Sequence, residues 1–413
     1  MAVPKLRFKD ENGADYPDWE KNAIDDIATI IGGGTPSTEN EDFWNGSIQW
    51  FTPVEISTKY VKESKRTITA DGLKKSSAKE LPKYTILLTT RASIGLTAIN
   101  ISDKIVTTNQ GFQSLICKKG FYYEFIYYLI NTTFVQNELK LKASGSTFAE
   151  ISSSNVKKIK VSVPCLEEQQ KIADFLTTFD KRITAQQNII ADMEETKKGL
   201  LQKIFSQEIR FKDDNGEDYP EWSVNVLSNL LLFQNGINGD KEMFSQGVKC
   251  IGVTDILNDK PIVYDSIKAV ADVDNKTLER YSVSYGDILF QRSSENVEDA
   301  GKSNVYLDKT AIAVFSGFVI RGKKMADFNP KCLNSILKSN IVRKQIKQKA
   351  QGAQHINVSQ ELLSGIVVYL PSLPEQNKIA SFLSTYDKKI EAEKIILADL
   401  QEMKKGLLQQ MFV

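Results

Sequence analysis

An internal duplication constrains the fold of this chain more than any other feature. PCLEEQQKIADFLTTFDKRI starts at Pro164 and PSLPEQNKIASFLSTYDKKI at Pro371, an offset of 207 residues in a chain of 413. The match continues through MEETKKGLLQKIF (193–205) and LQEMKKGLLQQMF (400–412). A second echo is RFKDENGADYPDW (Arg7–Trp19) against RFKDDNGEDYPEW (Arg210–Trp222), identical at ten of thirteen positions with an offset of 203. Elsewhere the halves keep pattern and lose identity. GSTFAEISSSNVKKIKVSVP (145–164) answers GAQHINVSQELLSGIVVYLP (352–371), QWFTPVEIS (49–57) parallels KCIGVTDIL (249–257), and YTILLTTR (84–91) parallels YGDILFQR (285–292). The order is variable–constant–variable–constant, so two copies of one structural plan are expected.

The constant segments read as long helices. Ile172, Leu176, Phe179, Ile183, Gln186, Ile190, Met193, Lys197, Leu200 and Ile204 step by four and three without a break. The second copy gives Ile379, Leu383, Tyr386, Ile390, Glu393, Leu397, Leu400, Lys404, Leu407 and Met411. Such a seam is the signature of coiled-coil packing, and helices of about 40 residues would be roughly 60 Å long. Parallel packing would set Lys197 against Lys404. Antiparallel packing is therefore expected, with Glu393 approaching Lys197 and Gln186 approaching Lys404. The variable segments read as mixed α/β, with short strands at Ser47–Phe51, Thr85–Thr89, Ile159–Val163, Gly286–Phe290 and Gly365–Leu370. Each also has one helical stretch, Tyr122–Lys142 and Pro330–Gln351. The divisions follow: a joint at 1–19, a variable domain at 20–163, a spacer helix at 164–206, a joint at 207–222, a second variable domain at 223–370 and a second spacer helix at 371–413. The second joint follows the first helix, so the N-terminal joint is expected beside the end of the second helix, closing a ring. Asn12-Gly13 and Asn215-Gly216 would be its turns, with Trp19 and Trp222 anchoring the next domain.

Catalytic chemistry is hard to place. The only histidine is His355, so no histidine-based triad can occur in both halves. Ala300-Gly301-Lys302-Ser303 lacks the opening glycine of a phosphate-binding loop, where Asn296 stands instead. The Gly32-Gly33-Gly34 triplet is not a dinucleotide fingerprint, no methyltransferase Asn-Pro-Pro-Tyr motif occurs, and four scattered cysteines support neither zinc nor disulfides. No apolar run has the length of a membrane span, and a reducing cytoplasm is the expected compartment. Net charge is +1, so a nucleic-acid site must come from local clustering. Two clusters qualify: nine basic residues and one acid over Arg321–Lys349, and eight basic residues with three acids over Lys59–Lys83. Polar loops able to reach base edges lie near them in sequence.

Together GGGTPS (32–37), WFTPVEIS (50–57), GSTFAEIS (145–152), the P-x-L-x-E-Q-x-K-I-A openings and the KKGLLQ endings resemble the DNA-specificity subunit of Type I restriction–modification enzymes across essentially the whole chain. In the second variable segment GIN (236–238) stands in place of GGTPS and GAQHI in place of GSTF. The resemblance implies two target-recognition domains, each reading half of a split DNA sequence, held apart by two antiparallel helices. It also implies a non-catalytic subunit without cofactor or metal of its own. Two modification subunits would supply S-adenosylmethionine chemistry, and restriction/translocase subunits would use ATP and Mg2+. Half-sites differ, so base readers are expected where the halves differ. Candidate DNA contacts are Thr35, Ser37, Lys59, Lys62, Arg66, Arg91, Ser93, Ser146 and Thr147 in the first half. In the second they are Asn238, Lys241, Arg292, Ser294, Gln354, His355 and Asn357. A stand-alone DNA-binding regulator and a coiled-coil scaffold are the competing readings.

Overall fold

The computed structural model describes residues 4–91, 93–143, 149–239, 242–258, 260–350 and 356–412. The chain divides into two units, Met1–Asn188 with Ile395–Val413, and Ile189–Lys394. Each unit thus owns one set of sheets and half of each long helix.

The two long helices are Leu166–Phe205 and Leu373–Met411. Every position of both four–three seams is buried or half-buried, whereas most flanking positions are exposed. In the first unit Ile172, Leu176 and Met411 are fully buried in one core. In the second Ile204, Phe205, Ile379 and Leu383 share another. Within the second unit Lys197 pairs with Asp387, and Glu194 with Lys394 at 2.6 Å. Partners rise along one helix as they fall along the other, so the packing is antiparallel. The seam lysines also find partners the sequence did not point to: the Lys197 ammonium meets Asp387, and the Lys404 ammonium meets Asp180 at 2.5 Å. A long lysine stem lets its charge leave the apolar seam for the flanking position, where an aspartate remains near water. The two pairs occupy the same places in the repeat.

The sheets are small. In the first unit a five-stranded sheet runs Ala28–Gly32, Gln113–Cys117, Ile86–Leu88, Thr97–Asn100 and Tyr60–Val61. A three-stranded sheet beside it runs Arg66–Ile68, Trp44–Phe51 and Val106–Thr108. The second unit has a four-stranded sheet of Leu231–Asn235, Val319–Lys324, Ile288–Gln291 and Ser303–Val305, and a three-stranded one of Val270–Ala271, Val248–Ile251 and Val314–Phe315. Each variable segment enters and leaves through an antiparallel pair, Glu20–Ala23 with Lys160–Val163, and Ser223–Val226 with Val367–Leu370. Each expected helical stretch is broken into two helices: Tyr123–Ile130 and Thr133–Leu141, then Pro330–Leu337 and Asn340–Lys349. In the first, the Thr132 side chain accepts from the Val135 amide and starts a new helix.

The repeated tryptophan-bearing stretch is a clamp. Arg7 donates from Nε and Nη2 to the Glu168 carboxylate at 3.0 and 2.7 Å, and from Nη2 to the carbonyls of Tyr16 and Pro17. The Trp19 indole donates to the same carboxylate. Arg210, Glu375, Tyr219, Pro220 and Trp222 repeat every one of these bonds. Both glutamates are fully buried, and hydrogen bonding to them raises the arginine pKa values above their ordinary range. The next residues of the helix motif serve the same joint. Gln169 donates to the Pro164 carbonyl and accepts from the Tyr122 amide, while Gln376 does so with Pro371 and Asn329. Lys171 and Lys378 donate to the carbonyls of Lys9 and Lys212. The E-Q-x-K pattern is thus one architectural device used twice. Within each joint Asp10 or Asp213 closes a turn whose glycine, Gly13 or Gly216, has φ of +81° or +86°.

One bond shows how the chain closes. The Ile209 amide donates to the Lys203 carbonyl at 3.1 Å just past the first long helix. Its counterpart runs from the Leu6 amide to the Gln410 carbonyl at 3.0 Å, so the N-terminal stretch caps the second helix as if continuous with it. Phe412 packs edge-on to Trp19 and stacks on Phe125.

Candidate nucleic-acid interface

Glycines first fix where the variable loops lie. A Cβ on Gly33 would stand 2.0 Å from the Asn109 carbonyl, and one on Gly236 would stand 2.1 Å from the Ser316 carbonyl. Both positions let a strand-exit loop press onto the segment before its neighbouring strand. The GGGTPS and GIN loops therefore do the same work, and Thr35 and Asn238 occupy equivalent places. Trp50 donates to the Gly34 carbonyl and Trp44 to the Ser37 carbonyl, pinning the first loop. The Arg66 guanidinium lies 3.7 Å above the Trp44 ring, which brings Arg66 and Ser37 together.

The other loops converge on these. Thr35 bonds Gln110, and Gly111, next along the chain, accepts from the Thr90 amide beside Arg91. Arg91 bridges to Glu150 through its backbone and through an ion pair at 2.6 Å, which brings the turn holding Ser93 to the segment containing Glu150. In the second unit the Arg292 amide donates to the Phe318 carbonyl, and its guanidinium to the Gly317 carbonyl. Strand Ser293–Ser294 pairs with Ile356–Asn357, and Ser293 donates to Asn357 at 2.6 Å. Each unit thus assembles three loops in the same way: the strand exit, the Arg-x-Ser turn and the segment before the last short helix. Gln110, Ser293 and Phe318 join these clusters without having been singled out in sequence. The Arg-x-Ser echo at 91–93 and 292–294 was a signal for Ser293, whereas QGF (110–112) and SGF (316–318) match in letters one residue out of register, Gly111 answering Phe318.

Other candidates fall elsewhere. The Lys59 side chain is only 10% exposed and lies on Glu124 at 2.5 Å, Tyr128 at 2.7 Å, Thr177 at 3.0 Å and Asp180 at 3.5 Å. Burial and the Asp180 contact push the Tyr128 phenol far above its ordinary range. Lys59 is therefore a structural cation and leaves the candidate set. Lys62 is exposed but follows Val61, which pairs with Asn100 at the far end of the strand from the Ser93 turn. Ser294 is 7% exposed, with its hydroxyl accepting from the Asn296 amide, so Ser293 takes its place at the surface. Ser146, Thr147, Lys241, Gln354 and His355 lie outside the described residues. The basic run over Arg321–Lys349 is divided: Arg321 is buried and Lys324, Arg343 and Lys347 are half-buried, while Lys323, Lys331, Lys338, Lys344 and Lys349 are exposed. Arg321 donates to Ser282 and Gln234, Arg343 to the Glu298 and Ala300 carbonyls, Lys324 to Phe328, and Lys349 to Gly365. Burial lowers the pKa of both arginines. The Gly301-Lys302-Ser303 stretch opens a strand rather than a helix, unlike a phosphate loop. Among the described residues no cluster of histidine, cysteine and carboxylate side chains could hold a metal, and no helix is long and apolar enough to cross a membrane.

Residues 16–195 and 202–402 each match the Type I restriction modification DNA specificity domain. The chain belongs to that family. It is a Type I specificity subunit carrying two DNA-specificity domains, and so the non-catalytic partner in such an enzyme. The specificity subunit of the Type I restriction enzyme MjaIX from Methanocaldococcus jannaschii is 29% identical, over 98% of this chain and 96% of that one. The EcoR124I/EcoR124II specificity subunit of Escherichia coli is 32% identical over 39% of this chain and 41% of its own. Two solved structures share the fold. A chain of a type I restriction–modification system gives a TM-score of 0.65 at 14% identity, covering 96% of this chain and 98% of that one. The specificity subunit from M. genitalium gives 0.52 at 18%, covering 100% and 99%.

Proposed function

We propose that the two units of this specificity subunit read the two halves of a bipartite DNA target, one half each, with spacing set by the long helices. The observation that carries this reading is the contrast between conserved joint and divergent loops. The same three loops converge in both units, and they differ where the clamps are nearly identical. On this reading Thr35, Ser37, Arg66, Arg91 and Ser93 contact the first half-site, with Ser146 and Thr147. Asn238, Arg292, Ser293 and Asn357 contact the second, with Lys241, Gln354 and His355. Arg can pair bidentately with guanine and Asn with adenine. Lys62 and its exposed neighbours contact phosphates, which orient without specifying.

The subunit would bind no cofactor itself. Two modification subunits would bring S-adenosylmethionine, and restriction/translocase subunits would bring ATP and Mg2+, in the cytoplasm where the DNA lies. The test is to exchange residues 223–370 for those of a relative with a known target and map methylated adenines genome-wide. One half of the methylated sequence should change and the other stay fixed. A change in both halves, or in neither, would overturn the reading.

A further inference from the structure

The most exposed aromatic ring among the described residues is Phe318, at 66%. It takes the place of Gly111 in the first half: the Arg292 amide donates to its carbonyl as the Thr90 amide donates to that of Gly111, while buried Val319 answers buried Phe112. The two halves thus diverge sharply at one equivalent place. Phe318 is also held firmly. The Arg292 amide donates to its carbonyl at 2.9 Å, and the Arg292 guanidinium donates to the Gly317 carbonyl at 3.1 Å. The Asn238 side chain lies over Gly317 so closely that a Cβ there would meet its Oδ1 at 1.9 Å. The ring is therefore offered outward on fixed backbone, between two side chains already placed among the base readers. A rigid apolar group in that company needs an apolar partner. In the major groove the only apolar feature of a base edge is the C5-methyl of thymine.

We propose that Phe318 packs on the C5-methyl group of a thymine in the second half-site and so makes that position specific. This rests on the reading of the second unit as the reader of that half-site. The full-length subunit, assembled with its modification subunit, is titrated with duplexes carrying the mapped target. Uracil, which lacks only the methyl group, replaces each thymine of the second half-site in turn. Removing one buried methyl should weaken binding about three- to fivefold at a single position. In Phe318→Ala the thymine and uracil duplexes should bind alike, and Phe318→Leu should restore part of the preference. The first half-site should be indifferent to both variants. If uracil is tolerated everywhere by the native chain, or its penalty survives in Phe318→Ala, the proposal is wrong. A Phe318→Ala loss that is uniform over all duplexes also overturns it. The domain exchange described above fails separately if the second unit does not govern that half-site.

Discussion

Glu168 and Glu375 are carboxylates with no exposed surface, each held by one arginine and one indole. Removing one partner of such a pair leaves an uncompensated buried charge, a loss of about 3–5 kcal/mol. Glu168→Ala should leave the Trp19 indole without its acceptor and the Arg7 guanidinium with only the Tyr16 and Pro17 carbonyls, and lower stability to urea by that order. Glu168→Gln, which still accepts a hydrogen bond, should cost less. Glu194→Ala, at an ion pair half in water, should cost under about 1 kcal/mol. Equal losses for Glu168→Ala and Glu194→Ala would deny the clamp its role. The glutamate and tryptophan were visible in sequence as repeated letters, but their contact spans 149 residues and no local pattern encodes it. Lys59 shows the same limit from the other side. Its sequence neighbours made it look like a surface cation, while Glu124 and Asp180, distant along the chain, draw it inward.

The long helices were the most legible elements, because a four–three apolar step is a local property of the chain. Their partners were not: the seam lysines reach Asp387 and Asp180 because side-chain length, rather than register alone, decides where a charge settles. The unit boundary falls at Asn188/Ile189 in one helix and Lys394/Ile395 in the other, so contacts on either side are internal to a unit. A seven-residue insertion at both places preserves the seam period and adds about 10.5 Å of helix, or roughly three base pairs of B-DNA. Methylation mapping should show both half-sites unchanged and the gap between them about three base pairs longer. Insertion in one helix alone shifts one seam against the other and should abolish modification. An unchanged gap in the doubly inserted chain would remove the helices from the role of ruler. The division of each helical stretch in two was readable only in part. Thr132 is a good helix start, but a start inside a helical pattern takes effect only where the surrounding fold bends the chain.

At the scale of the whole chain, the hydrogen bond from Leu6 to Gln410 repeats the bond from Ile209 to Lys203, one across separate ends and one within continuous chain. Opening the chain after Ser206 and joining Val413 to Met1 should therefore exchange one kind of closure for the other. The permuted subunit should fold with a Tm within roughly 5 °C of the parent and direct methylation to the same target. A permutant that is insoluble or retargeted would show that the two closures are not equivalent. The repeat also has a consequence in heredity. Coding sequence for nearly the same thirteen residues stands twice, 203 codons apart, just ahead of the parts that differ. A crossover inside that stretch between two related genes transplants everything on one side while leaving arginine, glutamate and tryptophan matched at both clamps. Each recombinant then inherits a sound frame with a novel pairing of old halves.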